Sequence, residues 1–287
     1  MNSIASVRSR AWAHVSQIPV SAWIGIAILV FWIILALIPS LIAGHREAAV
    51  LTNDSFAPPG AAGLLGGDYL GRDLLSRLVH ATRRTLGLAV LITLLAFIAG
   101  VFFGFLAATA RRWIGVFLSG LNDVLLAFPS LILALIAIAA LGTSLPVLVF
   151  TVAMIEATRV FRVARALAMD IVAMDYVEAA RARGEGMWWI MRREVLPNVI
   201  PPLAAEFGVR FTYSILFISA LGFLGLGVQP PDADWGVMVR ENLQGLLFGS
   251  IAPLVPAAAI ASVTIAVNLL VDAQLARITS NVGYGLA

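Results

Sequence analysis

Long stretches of this chain carry no charged side chain, and they decide what it can fold into. Between Arg10 and Arg46 there is no Asp, Glu or Arg, and between Trp113 and Ile155 the only charge is Asp123. A bilayer is crossed by about 20 apolar residues. A soluble core of ordinary size cannot hide so much apolar chain. Composition agrees: 61% of the 287 residues are hydrophobic and 12% are charged, with a mean hydropathy of +0.96. Ordinary soluble domains are about 45–50% apolar and about 25% charged. A soluble globule, a disordered chain, a collagen and a disulfide scaffold are excluded, and an all-α membrane protein with several spans is expected.

Arginines, glycines and prolines divide the apolar chain into six expected spans, close to Ala22–Ala43, Thr85–Ala108, Phe117–Leu141, Leu145–Phe161, Leu203–Val228 and Ser250–Val271. Each must be a helix, because backbone groups in lipid are satisfied only internally. The stretch Gly142-Thr143-Ser144-Leu145-Pro146 separates the third from the fourth. A signal peptide is the alternative for the first, since Arg8 and Arg10 precede it. The run is long for such a segment, and no good small-residue cleavage site follows.

Six spans place both termini on one side. If that side is the cytoplasm, twelve arginines fall in inner segments, among them Arg111, Arg112, Arg159, Arg162, Arg165, Arg181, Arg183, Arg192 and Arg193. Six fall outside: Arg46, Arg72, Arg77, Arg83, Arg84 and Arg240. The excess favours a cytoplasmic N-terminus, although the Arg72–Arg84 cluster runs against the rule. The expected layout is a cytoplasmic segment 1–21, a first span 22–43, an external connection 44–84, a core 85–272 with an inner loop at about 162–202, and a cytoplasmic tail 273–287.

All 19 basic residues are Arg, and there is neither Lys nor Cys. A phosphate-binding P-loop in this chain is therefore excluded, as are Schiff-base chemistry, thiolate metal sites and disulfides. The pI near 9.9 reflects positive loops between apolar runs, not nucleic-acid binding.

The inner loop is the most informative segment. Ala-rich composition around Asp175-Tyr176-Val177-Glu178-Ala179-Ala180, with Arg181 three residues after Glu178, favours a short helix. Gly184 is placed to end it in a left-handed conformation. A second helical piece is expected at about Met187–Arg193, stopped by Pro197, Pro201 and Pro202. An amphipathic connector on lipid headgroups is one explanation, suited to Arg181, Arg183, Arg192, Arg193 and the pair Trp188-Trp189.

The pattern Glu178-Ala179-Ala180, Gly184 and Leu196-Pro197-Asn198 resembles the EAA loop of binding-protein-dependent ABC transporter permeases. Other stretches resemble one branch, the C-type permease of dipeptide, oligopeptide and nickel importers. They are Gly66-Gly67-Asp68-Tyr69-Leu70-Gly71-Arg72-Asp73 with Ser76-Arg77, then Asp123 to Ser130, Phe223 to Pro231 with Trp235-Gly236, and Asn268 to Asp272. Departures are Glu194 where that branch commonly has His, Gly67 for a common Thr, and Ala273-Gln274-Leu275-Ala276-Arg277 after Asp272.

The resemblance implies a type I importer permease that pairs with a second homologous permease above two ATP-binding subunits. An extracytoplasmic solute-binding protein would deliver the solute. ATP and magnesium would be held by the partners, so no cofactor, metal or catalytic residue is expected in this chain. The ATPase-docking loop would comprise Asp175, Glu178, Ala179, Ala180, Gly184, Leu196, Pro197 and Asn198. Glu178 either contacts the ATPase or pairs locally with Arg181 or Arg183.

Few polar residues interrupt the spans. Asp123, Glu156, Arg159 and Arg210 are expected near span ends, snorkelling to the interface, and Glu156 and Arg159 are spaced to pair. This sparse polarity suggests a passage without a strong binding site. His14, His45 and His80 lie outside the spans and are not at ligand spacing. A stand-alone ion-coupled transporter would need mid-membrane carboxylates and often shows an inverted repeat, and neither is apparent. No constellation suits an intramembrane enzyme.

Overall fold

The computed structural model describes residues 19–232 and 234–283. The expected N-terminal segment lies almost wholly outside them, as do Arg8, Arg10 and His14. Helices α1 (Val20–Leu37) and α2 (Pro39–Ile42) are followed by a long connection and α3 (Leu74–Thr109). Then come α4 (Arg112–Ala127), α5 (Ser130–Leu141), α6 (Leu145–Val172) and the short α7 (Asp175–Ala182). Helix α8 (Met187–Phe223) contains a π-helical stretch at Ile190–Val195. A connection bearing α9 (Trp235–Asn242) leads to α10 (Leu254–Gly283). Among the described residues there are only two isolated β-bridges and no strand.

Helices α1, α3, α8 and α10 are long and apolar enough to cross a membrane, which makes four spans, or five if the bent pair α4–α5 counts as one. The third expected span is therefore broken. Pro129 holds Phe128 in an extended conformation (φ −88, ψ 139), and α4 and α5 meet at 91°. The second expected span begins eleven residues early, at Leu74, because the Asp73 carboxylate accepts from the Leu75 N–H and caps the helix there. The fourth runs to Val172, since nothing between Phe161 and Val172 breaks a helix; arginines at Arg162 and Arg165 had suggested a loop. The sixth extends likewise to Gly283. The fifth ends at Phe223, and Gly225 (φ +86) turns the chain.

The prolines of the inner segment do not stop a helix. Pro197 falls in the first turn of the α-helical part of α8, after the π stretch, where a missing N–H is tolerated. Pro201 and Pro202 lie within the helix.

The central packing is α3 against α6. Gly100 and Gly104 form a G-x-x-x-G pair on α3. A Cβ at Gly100 would stand 2.5 Å from the Val160 Cβ and 2.8 Å from the Ala157 carbonyl oxygen. One at Gly104 would stand 2.8 Å from the Phe161 carbonyl oxygen. Backbone obstacles cannot rotate away. Gly100→Leu is expected to destabilise the chain by about 1–3 kcal/mol or more, read as a lower melting temperature in detergent. Gly87→Leu, on the same helix with nothing within 4 Å, should leave melting unchanged.

Helix α1 is a packed member of this bundle. Its Trp32 indole donates to Ser262 Oγ on α10 at 2.9 Å, and Gly25 meets the Ala266 backbone.

Candidate functional site

The surface offered by α7 is built from beneath. Val177 and Ala180 are fully buried. Val177 packs with Phe105 of α3, Ala164 and Ala168 of α6, and Ile190, Met191, Val195, Val199 and Leu203 of α8. This socket holds α7 against the ends of three long helices. Asp175, Glu178 and Ala179 point outward, and Gly184 ends the turn at φ +88, exposed. Leu196, Pro197 and Asn198 are exposed on the adjoining start of α8. Asn198 Nδ2 donates to the Glu194 carbonyl at 2.6 Å and lies 3.5 Å from the Tyr176 hydroxyl, so it ties α8 to α7. Of the eight expected docking residues, Ala180 is the one that faces inward, where its small size lets α7 sit close. Among the described residues no ion pair joins Glu178 to Arg181 or Arg183.

A second constellation joins the two long connections. Asp68 is fully buried; its Oδ2 accepts from Arg72 Nε at 2.6 Å and Arg77 Nη1 at 2.7 Å. Its Oδ1 accepts the backbone N–H groups of Leu70 and Arg72. Glu241 of α9 accepts from Arg77 at 2.9 Å and lies 3.4 Å from Arg72 Nη2. Arg84 is bound by Glu47 and Asp232. Arg72, Arg77 and Arg84, which ran against the charge rule, thus serve as structural ties. Asp68 belongs to the stretch that carries the branch resemblance; its partner Glu241 is one that the sequence reading did not single out.

Next to this network, Trp235 is fully buried. It meets Trp32 edge-on at 5.0 Å, and its backbone N–H donates to Thr85 Oγ1. Asp234 caps α9 by accepting from Val237 N at 2.8 Å. Burial pushes the Asp234 carboxyl above its ordinary pKa, against backbone N–H bonds that favour the ionised form. Gly222, Gly227 and Gly236 all approach too closely for a side chain.

The third constellation corrects an expectation. Glu156 is fully buried; its Oε1 accepts from Arg159 Nη1 at 2.6 Å and its Oε2 from Arg210 Nη1 at 3.2 Å. Glu206, which sequence reasoning missed, stands 2.7 Å from Arg210 Nε. Arg159 also donates to Ser130 Oγ at 2.7 Å. Glu156 and Arg159 pair as their spacing suggested. Glu156 does not snorkel, however: it is fully buried between Arg159 and Arg210, so its charge is met by protein. A charge at mid-bilayer costs about 2.5–3.5 kcal/mol on insertion scales, and mutual pairing offsets that cost. Among the described residues no group of His, Cys, Asp and Glu could hold a metal ion.

The model of the family described as binding-protein-dependent transport system inner membrane component matches residues 100–283, which include α7 and its whole socket. The chain belongs to this family. It is 40% identical over 193 residues to the di/tripeptide transport system permease protein DppC of Pseudomonas aeruginosa, covering 67% of this chain and 64% of that one. The match spans just under two thirds of that relative's length. A putative peptide transport system permease of Brucella suis is 33% identical over 249 residues, covering 87% of this chain and 84% of the relative. The glutathione transport system permease GsiD of Pectobacterium atrosepticum is 33% identical, with 75% and 71% covered. Among solved structures, an amino acid ABC transporter chain shares the fold at a TM-score of 0.50 and 21% identity, covering 69% of this chain and 91% of that one. The protein is a multi-pass membrane component of an ABC transport system.

Proposed function

We propose that this chain is one of two permease subunits of an ATP-driven importer in a bacterial inner membrane, and that it conducts peptides handed over by an extracytoplasmic binding protein. It crosses the membrane six times, with α4–α5 as a broken third span, α6 as the fourth, and both termini in the cytoplasm. A second homologous permease completes the passage, and two ATP-binding subunits lie beneath the pair and hold ATP and magnesium. The carrying observation is α7: Asp175, Glu178 and Ala179 present an outward face on a helix whose inner face is locked to α3, α6 and α8. Motion of an ATPase gripping that face would move the three helices as a body and change access to the passage. Peptide is favoured as solute because the relatives are di/tripeptide, peptide and glutathione transport permeases.

The solute is tested by deleting the chain from its host and measuring uptake of labelled di- and oligopeptides beside labelled nickel. Loss of peptide uptake with nickel uptake intact is expected. Loss of nickel uptake alone would move the chain to the metal branch with the same mechanism.

A further inference from the structure

A charge half-way through a bilayer needs water or protein beside it, because lipid cannot solvate it. At a rise of about 1.5 Å per residue, Glu156 lies about 16 Å along α6 from Leu145, and Arg210 about 20 Å back along α8 from Phe223. With Leu145 and Phe223 at the outer face, as in the six-span arrangement proposed above, both depths fall inside a hydrocarbon layer about 30 Å thick. The side chain of Arg159 is 34% exposed, and those of Glu206 and Arg210 are 14% and 11% exposed. Tyr213 is 49% exposed, with the Arg210 guanidinium 4.8 Å above its ring. One surface, formed by the start of α5 with α6 and α8, therefore opens polar side chains within the span of that arrangement.

We propose that this surface lines the solute passage, and that its paired charges let the passage accept solutes bearing both an ammonium and a carboxylate, as a peptide with free termini does. Two glutamates and two arginines balance, so neither sign is selected, unlike a ring of like charges. Arg159 spends one N–H on Glu156 and one on Ser130, which leaves donors for a passing carboxylate or carbonyl. The proposal rests on the importer reading and names which surface the solute meets.

The chain has no cysteine, so an introduced one is its sole thiol. Tyr213→Cys, Ser130→Cys and Ile98→Cys are each placed in the assembled transporter in membrane vesicles. They are exposed to a charged methanethiosulfonate reagent, nucleotide-free and with ATP and vanadate. Ile98 lies on an apolar part of α3 about 16 Å from Thr109. Tyr213→Cys should react about tenfold faster than Ile98→Cys, or more, in at least one nucleotide state. Equal, slow reaction in every state overturns the proposal. If Tyr213→Cys does not assemble, Ser130→Cys decides by the same criterion. Arg159→Gln leaves the four-residue cluster net negative and should shift uptake toward cationic over acidic peptides; an unchanged ratio overturns the charge-balance role. Uptake by the parent in the same vesicles separates the two failures. If the parent imports no peptide with ATP, the importer reading fails. If it imports peptide but no thiol is labelled, only this assignment fails.

Discussion

Arg77→Met is expected to destabilise the folded chain by about 3–5 kcal/mol, the usual cost of removing one partner from a buried ionic group. Arg77 is only 1% exposed and bridges Asp68 to Glu241. The four charges Asp68, Glu241, Arg72 and Arg77 sum to zero. Without Arg77, one negative charge remains inside the fold. Arg72 alone cannot compensate, since its contact with Glu241 is 3.4 Å. Two consequences separate this from a general loss of packing. Arg77→Met with Glu241→Gln should recover about 1 kcal/mol or more relative to Arg77→Met, as coupled neighbours do in a double-mutant cycle. Arg84→Met, whose ion pairs with Glu47 and Asp232 are partly exposed, should cost about 1 kcal/mol or less. Thermal unfolding in detergent reads all three. Equal losses for Arg77→Met and Arg84→Met would show that burial of the network does not matter.

The second large effect concerns coupling, with only a small cost in stability. The double variant Glu178→Arg, Gly184→Asp is expected to abolish ATP-driven uptake while the chain still inserts and its stability falls by no more than about 1–2 kcal/mol. Both positions are exposed, and neither contributes to the socket of Val177 and its neighbours. The variant reverses a charge and enlarges a turn on the outward face. Gly184 at φ +88 has nothing within 4 Å of an added Cβ, so the cost of Asp there is backbone strain of about 1–2 kcal/mol and not a clash within the chain. Uptake at the parental rate would show that this face does not receive the ATPase.

Legibility of the fold followed the physics of each segment. The apolar runs announced the long helices, because lipid admits little else. The break at Gly142 appears where Gly and Pro placed it, with φ +95. Helix ends were harder to read. Asp73 caps α3 far ahead of its apolar stretch, and the π stretch before Pro197 lets α8 run through residues that normally end a helix. The 91° bend at Pro129 was available in principle, since the residue before proline avoids the helical region. The G-x-x-x-G pair of Gly100 and Gly104 was likewise a readable sign of close helix packing.

The site was legible in one part. Local composition gave α7 and its glycine stop. It could not show that Ala180 faces inward, because eight residues make too short a helix for periodicity to choose a face. The charge clusters were hidden for another reason. Asp68 meets Glu241 through Arg77 across more than 160 residues, and Glu156 meets Arg210 across 54. No local pattern links such partners. Only the tertiary fold turns apparently isolated charges into compensated groups.

The central claim is that this chain conducts peptide only when partner ATPases drive it. Its most direct test is labelled-peptide uptake in the parent and the deletion strain, with cellular ATP depleted while the proton motive force is maintained. Uptake that requires this chain and collapses with ATP is the predicted result. Uptake that requires the chain and persists without ATP would contradict the account.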